Sequence, residues 1–97
     1  MKMKHLLQGA ALAALLSAPA LAQTTLRIQT HYGPESISGK NAAQFIDDVQ
    51  TMSNGEIQIE MFYSSALVAS VETFDAAANG IIDCDMTGGA YQTGKNP

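Results

Sequence analysis

Apolar and polar positions alternate along Leu26-Arg27-Ile28-Gln29-Thr30-His31, the two-residue period of a strand with one buried face. Tyr32-Gly33-Pro34 ends that strand, because Pro lacks the N–H a sheet ladder needs and Gly permits a tight turn. The period then changes. Ala42, Phe45, Ile46, Val49 and Met52 recur at helical spacing and predict an amphipathic helix from about Gly39 to Ser53, capped by Ser36 or Ser38. Asn41, Gln44, Asp47, Asp48 and Thr51 fill its wet side. Asn54-Gly55 stops it, with Gly55 suited to the left-handed position past a helix end. Alternation returns over Glu56–Phe62, where Ile57, Ile59 and Met61 mark a second half-buried strand. After a loop, Tyr63–Ala69, Ser70 is read as the cap of a short helix whose inner stripe is Val71, Phe74 and Ala78, closed by Asn79-Gly80. Ile81–Met86 predicts a third strand, and Thr87-Gly88-Gly89 opens a loop that runs on to Pro97.

The order β-α-β-α-β predicts an α/β fold with a parallel sheet, helices on both faces and right-handed crossovers. Ligands of such sheets bind beyond the carboxyl ends of the strands. Those ends are His31-Tyr32, Phe62–Ala66 and Thr87–Tyr91, which makes His31 and Tyr32 candidate ligand contacts. Three strands and two helices are half a domain by the usual size rules, so the chain reads as a piece of a longer protein. No repeat or low-complexity segment interrupts it.

The N-terminus adds a compartment. Lys2 and Lys4 precede an apolar run, Leu6–Leu16, and then Ser17-Ala18-Pro19 and Ala20-Leu21-Ala22. Charged, apolar and small-residue regions in that order form a secretory signal peptide, residues 1–22, cleaved after Ala22, with a cut after Ala20 as the alternative. The apolar run is about half the roughly 20 residues a membrane-spanning helix needs. Cleavage leaves Gln23–Pro97 as a periplasmic segment. Its three basic residues stand against nine acidic ones, a net charge of −6. That balance excludes nucleic acid as a partner, since phosphate binding needs clustered Lys and Arg. The single cysteine, Cys84, has no internal disulfide partner and lies in an apolar run that predicts burial.

Few motifs carry chemistry. Gly89-Ala90-Tyr91-Gln92-Thr93-Gly94-Lys95-Asn96 mimics a phosphate-binding loop after a strand. Asn96 lacks the hydroxyl that would meet magnesium, and Pro97 pushes Asn96 out of helical geometry where that loop enters its helix. Asp83 and Asp85, two apart on a strand, would share a face and could hold a divalent cation, although solvation or local hydrogen bonding is the plainer reading. No zinc-type His/Cys cluster, G-x-S-x-G elbow or Ser/His/Asp set is present, and no residue is assigned a catalytic role.

Taken together, the residues resemble the N-terminal part of the extracytoplasmic solute receptors of TRAP transporters, the tripartite ATP-independent periplasmic systems. The likeness covers nearly all of Leu26–Pro97 and rests on Asn54-Gly55-Glu56-Ile57, Ser65-Ala66-Leu67-Val68, Phe74-Asp75-Ala76, Asn79-Gly80-Ile81 and Tyr91 followed by Gly94-Lys95-Asn96-Pro97. The branch it is most similar to binds α-keto acids, other monocarboxylates and related organic acids. The resemblance implies a type II periplasmic-binding-protein fold, two α/β lobes closing on a ligand, of which this chain is a partial first lobe. It implies Tyr91 as a hydrogen-bonding pocket residue. It also implies that the main carboxylate-binding arginine, and the groups that hold a metal ion in some members, lie beyond Pro97. Arg27, in the first strand, is not that arginine. Where this branch often has Trp-Ala after Tyr91, this chain has Gln92-Thr93, a smaller and more polar wall.

The function expected is capture of a small organic anion (a keto acid, other monocarboxylate or dicarboxylate) for import by integral membrane TRAP subunits, with no cofactor and with homodimerisation open to the full-length receptor. Two rivals remain at this level. One is a secreted α/β enzyme with His31 and the Asp83/Asp85 pair in its site. The other is a binding lobe that serves an ATP-driven importer or a sensor.

Overall fold

A computed structural model of the chain describes residues 23–95. The signal-peptide reading at residues 1–22 and the Asn96-Pro97 end of the phosphate-loop mimic lie outside the described residues. Three strands, β1 (Thr24–Thr30), β2 (Ile57–Phe62) and β3 (Cys84–Met86), form one parallel sheet in the order β2-β1-β3. Two helices, α1 (Ile37–Met52) and α2 (Thr73–Ala78), supply the crossovers. The step from β1 to β2 runs opposite to the step from β2 to β3. Right-handed crossovers therefore put α1 and α2 on opposite faces of the sheet. The predicted α/β class and element order are those of the structure.

Ser36 caps α1: its hydroxyl accepts from Gly39 N at 3.0 Å while donating to Gly33 O at 2.7 Å. The helix consequently begins at Ile37, two residues before the sequence expectation. At its end Gly55 N bonds Gln50 O at 2.9 Å and Asn54 N bonds Thr51 O at 3.1 Å, the paired closure of a Schellman cap. Asn54 itself takes a left-handed conformation, φ +53°, ahead of Gly55 at +78°, so the cap begins one residue earlier than expected. The inner side of α1 is Ala42, with Ile46 and Val49 half-buried, whereas Phe45 and Met52, predicted for the same stripe, are exposed. They lie on its flank, where no described element reaches them.

The second helix departs further from expectation. Ser70 opens a 3₁₀ turn, Ser70–Glu72, without a side-chain cap; its hydroxyl pairs instead with Ser65 Oγ at 2.7 Å. The buried positions are Thr73 and Ala76, while Val71, Phe74 and Ala78 face out. Packing close to the sheet admits small residues and leaves the larger ones outside. A second Schellman cap, Ile81 N to Ala76 O at 2.9 Å and Gly80 N to Ala77 O at 3.2 Å, ends α2. It also shortens β3. The amides of Ile81 and Ile82 both turn back to Ala76 O, so neither joins the ladder and the strand starts at Cys84. Ile82, 1% exposed, is the most buried apolar side chain described. Among the described residues Cys84 is a free thiol, half-buried rather than enclosed. No described helix is long and apolar enough to cross a membrane.

Candidate functional site

The strand order sets where a ligand would go. In an open parallel sheet the crevice opens where successive connections leave in opposite directions, which here is between the carboxyl ends of β1 and β3. His31 and Tyr32 follow β1, and Tyr91 lies in a 3₁₀ turn, Gly89–Gln92, after β3. The fold thus brings all three predicted site residues together. The His31 ring lies 3.9 Å from that of Tyr32, tilted, and 5.0 Å from that of Tyr91, edge to face. Gly88 passes beside the same imidazole: a Cβ there would sit 3.7 Å from His31 Cε1. Tyr32 is exposed at the rim, while His31 and Tyr91 are half-buried.

Backbone bonds carry the β1–β2 pairing past the strand ends and hold a third wall. Ser65 N donates to Thr30 O and Ser64 N to Tyr32 O, both at 3.0 Å. Ser64 and Ser65 are both left-handed, φ +55° and +51°, a conformation that favours glycine and persists only where its surroundings enforce it. The enforcement comes partly from Gln29, a side chain that alternation had consigned to the polar face. It is fully buried in the central strand, and its amide bonds Leu67, Val68 and Thr73.

Other polar residues gather at this end, His31 and Asp85 from the sequence expectations and Thr87 and Gln92 beside them. His31 Nδ1, Asp85 Oδ1, Thr87 Oγ1 and both amide atoms of Gln92 are buried without a hydrogen-bond partner among the described residues. All lie at or just beyond the ends of β1 and β3. The register pairs Gln29 with Asp85, and continuing it two residues pairs His31 with Thr87, so these four residues share one sheet face.

The Asp83/Asp85 cation reading fails on geometry. Asp83 precedes β3, and its carboxylate accepts from Arg27 N at 2.8 Å while its own N–H donates to Arg27 O at 2.8 Å. Asp83 therefore works as a side-chain rung of the ladder and does not share a strand face with Asp85. Among the described residues no three His, Cys, Asp or Glu side chains are placed to hold a metal ion. Arg27 is likewise occupied: Nη1 donates to Ile81 O at 3.0 Å, and the guanidinium lies 5.4 Å from the centre of the Phe62 ring. It sits four residues before His31, about 13 Å along the strand. Lys95 reaches back to Asp75 of α2 at 2.5 Å, pinning the segment that carries Tyr91.

The described residues thus form a parallel sheet with polar and aromatic side chains gathered at its switch point. Residues 28–97 match the DctP family, bacterial extracellular solute-binding protein family 7, and the chain belongs to that family. The chain is 33% identical over 84 residues to an uncharacterised protein of Haemophilus influenzae, covering 86% of this chain and 25% of that one. Among solved structures it is similar to a TRAP periplasmic solute-binding protein of Rhodobacter sphaeroides in an apo open state, with 30% identity and a TM-score of 0.71 over 76% of this chain and 24% of that one. A TRAP solute-binding protein of Bordetella bronchiseptica, a mixed-occupancy dimer with copurified calcium and picolinate, gives 26% and 0.69 over 77% and 23%. One of Sulfurospirillum deleyianum with bound succinate gives 26% and 0.58 over 63% and 20%. The chain spans about a quarter of the curated relative and a fifth to a quarter of these structures. These neighbours are receptors, not enzymes, which sets aside the enzyme reading of His31 and the two aspartates.

Proposed function

We propose that this chain contributes the first strands of a periplasmic receptor that captures a small organic acid and delivers it to the integral membrane subunits of a TRAP transporter. His31, Tyr32 and Tyr91 would line the ligand side of its first lobe. The observation that carries the reading is the convergence of these three rings at the β1/β3 switch point of a family 7 chain. Two structural neighbours hold succinate and picolinate, both carboxylates, which supports an organic acid as ligand. The tyrosine hydroxyls and the imidazole would donate to ligand oxygens. Lobe closure would exclude water and strengthen those charge-assisted bonds. The principal cation for the carboxylate would come from residues beyond Pro97. Residues 1–22 would direct export and be removed, and the full-length receptor has homodimerisation open to it, as in the Bordetella bronchiseptica neighbour.

The test is calorimetry on the complete receptor carrying this sequence, with pyruvate, lactate, succinate and picolinate as titrants, repeated with His31→Ala and Tyr91→Phe. Micromolar or tighter binding of one acid, weakened by both substitutions, is the expected result. No binding of any acid would overturn the receptor reading. Binding indifferent to both variants would remove these residues from the site. N-terminal sequencing of the exported protein should read Gln-Thr-Thr from Gln23.

A further inference from the structure

We propose that Gln29 is a positioning residue for the ligand site, a buried latch that fixes the loop between β2 and α2 against the strand carrying His31 and Tyr32. The proposal rests on the receptor reading for what the loop borders, and on geometry for the latch itself.

A glutamine amide has two N–H donors and an oxygen with two acceptor sites, and here all four are used. Nε2 donates to Val68 O at 2.9 Å and to Thr73 Oγ1 at 2.8 Å. Oε1 accepts from Leu67 N at 2.9 Å and from Val68 N at 3.1 Å. The orientation has no alternative: a flipped amide would set oxygen against the Val68 carbonyl and nitrogen against two N–H groups. The side chain is 0% exposed, so water cannot stand in for any of these partners.

The loop depends on it. Its amides are held in sequence: Ser64 N by Tyr32 O, Ser65 N by Thr30 O, Ala66 N by Tyr63 O, then Leu67 N and Val68 N by Gln29. Four of these five donors end on β1 or the residues directly after it. Two of the four end on one side chain. The loop is thus held to the central strand, and the left-handed pair Ser64-Ser65 is fixed beside the turn that presents Tyr32. The outward position of Ala66 and Leu67 means that, without Gln29, the loop amides could turn to water. The lobe would then survive with the wall displaced.

Amide hydrogen exchange on the complete receptor tests the latch without any ligand. Among the described residues Leu67 and Val68 have no backbone acceptor, yet their amides should exchange as slowly as those of β1. Gln29→Met keeps the length and removes every hydrogen bond. It should release those two amides, leave the β1–β2 ladder protected, and weaken the bound acid by about tenfold or more. Thr73→Val, which deletes the bond from Gln29 Nε2 and the longer one to Ala69 O at nearly constant volume, should weaken it severalfold, and Thr73→Ser should restore it. Fast exchange of Leu67 and Val68 in the wild type overturns the latch. So does an unchanged Kd in a folded Gln29→Met whose two amides have been released. If the wild type binds none of pyruvate, lactate, succinate or picolinate, the receptor reading falls, and the exchange of the two amides still decides the latch.

Discussion

Gly39 stands in the first turn of α1, where Ala would ordinarily be preferred by about 1 kcal/mol. The structure reverses that sign. A Cβ on Gly39 would lie 2.0 Å from Gly33 O, 2.9 Å from Gly33 C and 3.0 Å from Pro34 Cα. All three are backbone atoms, so no rotamer change relieves the clash. A carbon normally approaches a carbonyl oxygen no closer than about 3.3 Å. The Gly33-Pro34 turn would therefore have to retreat by more than about 1 Å. Overpacking of this kind costs about 1–3 kcal/mol. The retreat also stretches the bonds that Gly33 O accepts from Ser36 N at 3.2 Å and Ser36 Oγ at 2.7 Å, each worth about 1 kcal/mol. Set against the propensity gain, Gly39→Ala should destabilise the lobe by about 2–4 kcal/mol. Equilibrium urea unfolding of the complete receptor measures this, with Ala43→Gly on the exposed face of α1 as the control that isolates propensity. The control should lose about 1 kcal/mol. Because the displaced turn carries Tyr32, ligand affinity should fall in Gly39→Ala and hold in the control. A Gly39→Ala receptor as stable as the wild type would refute the close approach and the geometry built on it.

Ser36→Ala removes the cap of α1 and should cost about 1 kcal/mol in the same unfolding assay, with fraying confined to the first turn by amide exchange. Ile82→Ala empties the most enclosed apolar site described and should cost about 2–5 kcal/mol. Gly80→Ala meets nothing within 4 Å, so its cost is the left-handed backbone alone, φ +79°, about 1–2 kcal/mol by thermal or urea unfolding. Lys95→Ala breaks an ion pair whose side chains are 52% and 50% exposed; its effect should stay within about 1 kcal/mol and shrink further in salt.

Much of the fold was legible because each element declares its period and its punctuation. Alternation in Leu26–His31, helical spacing in Ala42–Val49 and the two Asn-Gly stops placed three strands and two helices in their observed order. The proximity of His31, Tyr32 and Tyr91 was legible for the same reason: once β-α-β-α-β implied a parallel sheet, the strand ends followed, and topology brings the three rings together. The Asp83/Asp85 error came from reading Ile81–Met86 as one continuous strand. Nothing local signals that the Schellman cap of α2 takes the amides of Ile81 and Ile82, or that Asp83 replaces a backbone rung opposite Arg27. The inner stripe of α2 failed because size, not polarity, decided it: Thr73 and Ala76 fit against the sheet where Phe74 does not.

Gln29 shows why the rest was not legible. On the alternating pattern Arg27, Gln29 and His31 form the polar face of β1, and the plain inference is a wet face. That inference holds where a strand lies at an edge. It fails in a central strand covered by α2, where a polar side chain stays only if every donor and acceptor finds a partner. Gln29 has all of its partners, in groups 38 to 44 residues away along the chain. A polar residue at an alternating position therefore carries two opposite meanings, solvated or fully paired, and the order of the strands in the sheet decides between them. Asp85, Thr87 and Gln92, with buried atoms unpaired at the strand ends, belong to neither class within the described residues. They lie where a ligand, or the next element of the lobe, would complete them.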